Sequence, residues 1–189
     1  MNSERQLYDV RPGDVFGIPF HGGNYQVGQV IDDYKGALYV VVFDSTVATP
    51  SPGLEAVSAA LGTPPLLARM TFDSRFRPGM WEIFGSATPD RRRFLPAYSV
   101  KTPGQQGVEV TSFDGSARTT VTGDLADAIP PLVIDSPMIL EKFVRALHGE
   151  GPWLPFMNDL IYRETPTSAE LFGWRPKNPC VRQNHPRCL

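Results

Sequence analysis

Apolar and polar residues alternate with a period close to two in the first part of the chain. The apolar positions flank the turn-forming tetrad His-Gly-Gly-Asn at 21–24: they are Val15, Phe16, Ile18 and Phe20 before it, and Tyr25, Val27, Val30 and Ile31 after it. Period-two alternation places such residues on one face of a strand, and a glycine-rich tetrad between two strands favours a hairpin. The pattern therefore predicts that the chain opens with a β-hairpin.

Several further strands follow the first hairpin. The apolar run 37–43 is rich in β-branched and aromatic residues, which is typical of a strand buried on both faces, and the polar segment 32–36 before it predicts a turn. Segments 66–72 and 80–85 also alternate. The dipeptide Asp114-Gly115 lies between two more strand patterns and suits a type I′ turn.

Two segments have helical signals. An apolar face at 139–147 follows Ser136-Pro137 and predicts a helix over 136–148. The segment LEAVSAALG predicts a second helix, with Ser51 as its cap, Pro52 at its first position and Gly62 at its end. The balance of strands and helices predicts an α+β fold: a strongly bent antiparallel β-sheet or a partly closed small barrel, with two or three peripheral helices, of which 136–148 covers one opening.

Composition and charge narrow the class of protein. The chain has 189 residues with 19 prolines, about twice the usual ~5%, so long helices are disfavoured. The length suits a single domain over 1–189 that ends in a proline-rich basic tail at 175–189. No apolar run approaches the roughly 20 residues of a membrane span, and the first ten residues lack a signal peptide's apolar region. We therefore expect a cytoplasmic protein without a membrane partner.

The charge distribution is uneven. The net charge is −2, the first 50 residues carry three basic and six acidic side chains, and the tail carries four basic side chains and no acid. An acidic molecule does not attract nucleic acid, so no nucleic-acid partner is expected.

Two blocks of the chain carry a family resemblance. RPGDVFGIPF at 11–20, followed by a glycine-rich turn and Gly-Gln-Val-Ile at 28–31, forms the first block, and RPGMWEIFG at 77–85 forms the second. Together they resemble the immunity protein 26 family, antitoxins of bacterial polymorphic toxin systems. The resemblance covers about residues 12–100 and implies an immunity-type domain that neutralises a cognate protein toxin, possibly a nuclease, by direct protein–protein contact.

The resemblance directs attention to acidic and aromatic side chains as partner-binding candidates. Acids complement the basic surface of a nuclease-like toxin and speed its capture, and tyrosines are common interface anchors. The candidates are Asp14, Asp32, Asp33, Asp44, Tyr25, Tyr34 and Tyr39. The Asp32–Asp33 pair also suggests a paired-carboxylate site, because two close carboxylates raise the pKa of one of them. Adjacent residues of a strand point to opposite faces, however, so an ordinary solvated turn is favoured for this pair.

Catalytic and metal-binding patterns are weak. Cys180, His185 and Cys188 have the donor types that zinc prefers, but their C-x4-H-x2-C spacing is incomplete, so no metal and no cofactor is expected. His148 falls in the last turn of its predicted helix, where a protonated imidazole would interact favourably with the helix dipole. No nucleophile elbow, zinc-protease motif or phosphate-binding glycine loop is present in the sequence, so the protein is not predicted to be an enzyme.

Two alternative functions stay open at this stage. The opening block also resembles ribonuclease toxins of the MazF/PemK class, but the position of their later Arg-Pro pair is occupied here by residues 28–31, so the cationic catalytic group is missing. The other alternative is a nucleic-acid-binding β-barrel that uses the arginine-rich region 69–93. Phe72 and Trp81 within that region fit core positions of strands, which favours a structural role for them.

Overall fold

The structure, a computed structural model, describes residues 9–49, 51–77, 79–100 and 107–173. Its strands are β1 (Asp14–Phe20), β2 (Asn24–Tyr34), β3 (Ala37–Val47), β4 (Pro65–Thr71), β5 (Glu82–Ser86), β6 (Tyr98–Val100), β7 (Val108–Thr111), β8 (Arg118–Val121) and β9 (Ile134–Asp135). Its α-helices are α1 (Leu54–Leu61), α2 (Arg91–Phe94), α3 (Asp124–Ala128), α4 (Pro137–Leu147) and α5 (Ser168–Phe172). Short 3-10 helices lie at His21–Gly23 and Pro155–Asp159. The predicted α+β class is confirmed.

The strands form two sheets. The larger sheet has the order β5-β1-β2-β3-β4-β9, and the smaller one has the order β6-β7-β8. All pairs are antiparallel except the pair of β4 with the two-residue strand β9, so the larger sheet is mixed. Because β9 follows an irregular segment, the sequence pattern did not predict it.

Irregular pairing curls the larger sheet. The register shifts between β1 and β5, twice between β2 and β3, and once between β3 and β4. Each β-bulge bends its strand and increases the local twist. In the described part of the chain the sheet is curled but does not close into a barrel, because the order begins at β5 and ends at β9.

Of the predicted turns, one is found as expected and one has a different geometry. The predicted opening hairpin is confirmed, and its strands are joined through His21–Gly23. The type I′ geometry, however, occurs at Lys35-Gly36, where φ is 52° and 83°. Asp114 does not adopt a positive φ, and Gly115 lies in a wider loop between β7 and β8, so the predicted two-residue turn there is wrong.

Helix α4 covers one face of the larger sheet. Its Leu140, Phe143 and Val144 are buried against a cluster that includes Phe16 and Trp81. The predicted bounds of 136–148 agree with the structure, since the Ser136 hydroxyl caps the helix by accepting a hydrogen bond from the Met138 amide. Pro137 occupies the first turn, where no donor is lost.

Other elements cover the second face of the sheet. Phe94 of α2, Tyr98 of β6 and the loop residue Phe113 pack there against Tyr39 and Met70 of the sheet. Helix α1 packs against β2 and β3, and its Val57 and Ala60 cluster with Val27 of β2. It begins at Leu54, after Gly53, instead of at Pro52. Its predicted end at Gly62 is confirmed. No helix in the described ranges is long and apolar enough to cross a bilayer.

Trp81 is a core residue, as the alternating pattern predicts. Its ring is fully buried, stacks on Phe16 with centroids 5.3 Å apart, and meets Phe76 edge-on at the same distance. Phe72 was expected in the core as well, but 47% of it is exposed. That expectation is wrong because β4 ends at Thr71, one residue before Phe72.

Candidate binding cleft

The predicted partner-binding residues do not form one patch. Tyr25 and Tyr34 lie near opposite ends of β2, nine positions apart along the strand. Asp33 and Asp44 are exposed, whereas Asp14 is half-buried and accepts a hydrogen bond from the Arg11 amide. These side chains are therefore distributed along the curled sheet.

Asp32 is held by an ion pair. Its carboxylate lies 3.0 Å from the Arg91 Nε atom of α2, and both side chains are mostly buried. Burial raises the pKa of Asp32, although Arg91 and the Asp33 amide act in the opposite direction. The expected solvated turn is wrong for Asp32, which extends β2 and anchors α2. Asp33 points to the other face of the strand and is exposed.

His148 lies at the end of α4 but is not placed as a protonated helix cap. Its ring stacks on Phe20 at 3.7 Å, and its Nε2 atom lies 2.7 Å from the Gln26 Oε1 atom. The Gln26 amide nitrogen donates to the carbonyls of Phe43 and Ser45, so Oε1 is left to accept from the imidazole. Burial lowers the pKa of His148, which favours the neutral ring.

A cleft of about 860 Å³ opens beside β4, and Ile139 of α4 is among the residues that line it. Its floor consists of Tyr39 of β3, residues 68–70 of β4 and Tyr98 of β6. One wall is formed by residues 126–135, which include the end of α3 and β9, and the other by residues 156–167. Tyr39 is thus the one predicted partner-binding residue that lines the cleft, and it does so as a largely buried floor residue, 6% exposed.

Arg69 connects the floor to both walls. Its Nε atom lies 3.6 Å from the Asp135 carboxylate in one wall, and its Nη2 group donates to the backbone carbonyl of Asp159 in the other. Two further contacts support the walls: the Thr71 hydroxyl donates to the Asp135 carbonyl at 2.9 Å, and the Tyr162 amide donates to the Leu66 carbonyl at 2.7 Å. These contacts hold both walls of the cleft to β4.

Two phenols contribute to the floor. Tyr98 is 6% exposed, and its hydroxyl oxygen is buried without a hydrogen-bond partner among the described residues. Burial raises the pKa of both Tyr39 and Tyr98, and the neighbouring phenol adds to the effect on Tyr98. Both phenols therefore stay protonated at neutral pH and can donate a hydrogen bond.

The rim of the cleft is open to solvent and carries apolar side chains beside the charged side chains of Arg93, Asp127, Asp159, Arg163 and Glu164. Val133, Phe156 and Ile161 line it and are 52%, 40% and 44% exposed. Leu132 and Ile134, the chain neighbours of Val133, are also more than 40% exposed. Clustered exposed apolar side chains around a concavity are typical of interaction sites.

The cleft combines exposed apolar and charged side chains with a buried neutral donor, Tyr98, and its Arg69 side chain contacts the Asp135 carboxylate. Within the described ranges no group of three or more His, Cys, Asp or Glu residues is arranged to hold a metal ion. The weak zinc candidates Cys180, His185 and Cys188, like the rest of the basic tail, lie outside those ranges.

Sequence reasoning did not find the two central residues of the cleft. Tyr98 follows a short apolar stretch and resembles any core aromatic, and Arg69 counted only as part of an arginine-rich region. Their partners come from residues 39, 135 and 159, far away along the chain. Comparisons of the chain with protein-family models, with curated proteins and with solved structures found no match.

Proposed function

We propose that this protein is a cytoplasmic immunity protein that binds a cognate bacterial toxin and neutralises it by direct protein–protein contact, without turnover of its own. The exposed apolar side chains Val133, Phe156 and Ile161 at the cleft support the proposal most strongly, because clustered apolar surface of this kind is often covered by a partner. The two sequence blocks that resemble the immunity protein 26 family, at 11–31 and 77–85, add support.

The toxin contacts are divided between two kinds of surface in this proposal. The exposed apolar side chains at the cleft supply the buried contact area, and the exposed acids Asp33 and Asp44 lie outside the cleft and attract a basic toxin over longer range. Exposed charges at the periphery of an interface affect mainly the rate at which the two proteins associate.

Co-expression with the toxin encoded by the neighbouring gene tests the function. Cells that produce the toxin should survive only when this chain is also produced, and the two proteins should co-purify in a fixed stoichiometry. Failure of both rescue and complex formation contradicts the proposal. Cleavage of RNA by the purified chain alone would instead favour the ribonuclease alternative, and retention on RNA without cleavage would favour the nucleic-acid-binding alternative.

Charge reversal tests the steering role of the exposed acids. The variant Asp33→Lys/Asp44→Lys should reduce the association rate about tenfold at low salt and change the dissociation rate little, because screening weakens only the long-range attraction. Glu55→Lys on α1, an exposed acid outside the predicted set, is the control. Asp32 is left intact, since its reversal would break the ion pair with Arg91.

A further inference from the structure

Six large apolar side chains are exposed where the larger sheet ends. Strand β9 is the last strand in the order of that sheet, and the residues that lead into it are apolar. The six side chains, which we call the edge ridge, are Phe72, Val100, Leu132, Val133, Ile134 and Met138, and each is 42–52% exposed. Exposed apolar surface at the edge of a sheet favours contact with another chain.

Backbone pairing brings the members of the edge ridge together. Ser99 forms a parallel bridge with Pro131. The residues that follow them, Val100 and Leu132, therefore lie side by side at the start of the ridge. Ile134, at the first position of β9, pairs with β4.

The far end of the ridge is positioned in the same way. Thr71 of β4 pairs in parallel with Asp135 of β9, so Phe72 follows directly after that pair. Met138 is in the first turn of α4, three residues after Asp135. The six side chains are therefore neighbours in the fold.

The exposed area of the edge ridge suits a protein–protein contact. A large apolar residue has about 150–200 Å² of surface, so six residues at these exposures leave on the order of 500 Å² of apolar surface. The largest apolar patch of a monomeric protein usually measures about 300–600 Å². A standard interface takes about 800 Å² from each partner, so the ridge supplies more than half of one, and Phe156 and Ile161 at the cleft add to it.

The charges beside the edge ridge have both signs. Val133 of the ridge also lines the cleft, so the two surfaces adjoin. The cleft carries five exposed charged side chains, which are Arg93, Asp127, Asp159, Arg163 and Glu164. None of the five forms an ion pair with another residue in the described part of the chain. Two arginines and three acids are therefore available to a partner.

A surface that carries both signs of charge can be complementary to itself. In a two-fold dimer the same patch of each subunit meets its copy, so every contact between two different residues occurs twice. A patch of one sign would repel its copy, whereas arginines and acids on the same patch can pair across the two-fold axis. A second copy of this chain thus provides apolar surface for the ridge and counter-charges for the cleft.

We propose that, in the absence of toxin, a second copy of this chain covers the edge ridge and the charged rim of the adjoining cleft in a two-fold symmetric dimer. The inference goes beyond the proposed function, because it concerns the free protein. Val133 belongs both to the ridge and to the surface proposed for the toxin, so the toxin replaces the second copy. This replacement alone rests on the proposed function.

Sedimentation velocity of the whole chain measures the association. The 20.9 kDa chain should form a species of twice that mass with a dissociation constant of about 1–10 µM. Val133→Glu places a charge in the apolar ridge of both copies and should weaken the dimer more than tenfold. Met138→Glu does the same from α4, so the test does not depend on the folding of one variant. Leu54→Glu, at an 81% exposed site outside the ridge, is the matched control and should dimerise like the wild type.

A second pair of variants tests the charges. Asp127→Lys/Glu164→Lys leaves one acid among the five cleft charges, so the two copies should repel each other and the dimer should weaken about tenfold at low salt. Asp33→Lys/Asp44→Lys changes the net charge equally at exposed sites outside the cleft and should leave the dimer intact. Equal dissociation constants for the two double variants would show that the cleft charges do not face a second copy, and would overturn the inference.

The outcomes separate this inference from the proposed function. A free protein that stays monomeric at 1 mM, or ridge variants that dimerise like the wild type, would overturn the inference, and toxin binding by that protein would leave the function intact. A dimer that neither binds nor neutralises the toxin would support the inference and contradict the function. When both hold, the purified complex should contain one copy of each protein, and a complex that retains the dimer would overturn the replacement.

Discussion

Gly28 allows a cluster of three aromatic rings, Phe16, Phe76 and Trp81, to form in the core. It pairs with Phe16 across β1 and β2, and a Cβ atom at position 28 would lie 2.5 Å from Cζ and 2.8 Å from Cε2 of that ring. The ring has little freedom to move, since it is fully buried, stacked on Trp81 and in edge contact with Phe76 at 4.9 Å. A methyl group at position 28 therefore forces strain into the core.

The variant Gly28→Ala should lose about 2 kcal/mol of unfolding free energy. Overpacking a filled core costs about 1–3 kcal/mol, and the confinement of Phe16 places this site towards the upper end. Replacing glycine returns roughly 0.4–1 kcal/mol by restricting the unfolded chain. For a chain of this size the net loss corresponds to a fall in Tm of about 4–8 °C.

Urea unfolding followed by far-UV circular dichroism measures this loss. Gly151→Ala is the matched control, because a Cβ there meets open space at an ordinary φ, and it should change stability by less than about 0.5 kcal/mol. Adding Phe16→Leu should relieve the clash, so the double variant should be about 1–2 kcal/mol more stable than the sum of the single effects. Additive effects, or a neutral Gly28→Ala, would refute the steric explanation.

Three further predictions concern single side chains. Trp81→Ala should cost about 3–5 kcal/mol in urea unfolding, because it deletes a fully buried aromatic; an unchanged Tm with weaker toxin binding would contradict its core role. Asp32→Asn should cost about 1–2 kcal/mol, since it leaves the mostly buried Arg91 charge without its carboxylate, and a loss below 0.5 kcal/mol would show that the pair is worth no more than a surface pair. His148 has a lowered pKa in the folded state, so its contribution is full above the unfolded pKa of about 6.5 and is lost as pH falls below it; His148→Gln should flatten the fall in Tm between pH 7 and 5, and parallel curves would contradict this.

Elements whose bounds depend on local sequence signals were predictable from the sequence. The bounds of α4 were predictable because an apolar face, a serine cap and an N-terminal proline all agree. The start of α1 differs from the prediction. Ser51 and Pro52 are residue types that favour a helix start, but the helix begins at Leu54 after Gly53 and no side chain caps it. Single cues of this kind are overridden easily.

The strands were predictable as apolar runs, but their lengths were set by pairing. The polar residues Asp32 and Asp33 suggested a turn, yet β2 continues through them because Leu38 and Tyr39 of β3 lie opposite. Similarly, β3 extends to Val47, four residues beyond the apolar run, because residues 46 and 47 pair with 25 and 26. A partner strand supplies hydrogen bonds that side-chain patterns do not encode.

The cleft could not be predicted from the sequence in the same way. Its floor and walls come from five separate parts of the chain. The Tyr98 hydroxyl lacks a hydrogen-bond partner among the described residues because none of these parts places an acceptor beside it. The partner-binding candidates chosen by charge and aromaticity were plausible one by one. Only Tyr39 was brought into the cleft, because β3 is central in the sheet.

The double anchorage of Arg69 has a consequence for local unfolding. Both walls of the cleft are tied to the same guanidinium, through Asp135 on one side and the Asp159 carbonyl on the other. If one wall detaches, the side chain that secures the other loses a partner, so the two segments should open as one cooperative unit. Amide hydrogen exchange near residues 134 and 162 should then report the same opening free energy, although 28 residues of chain separate them.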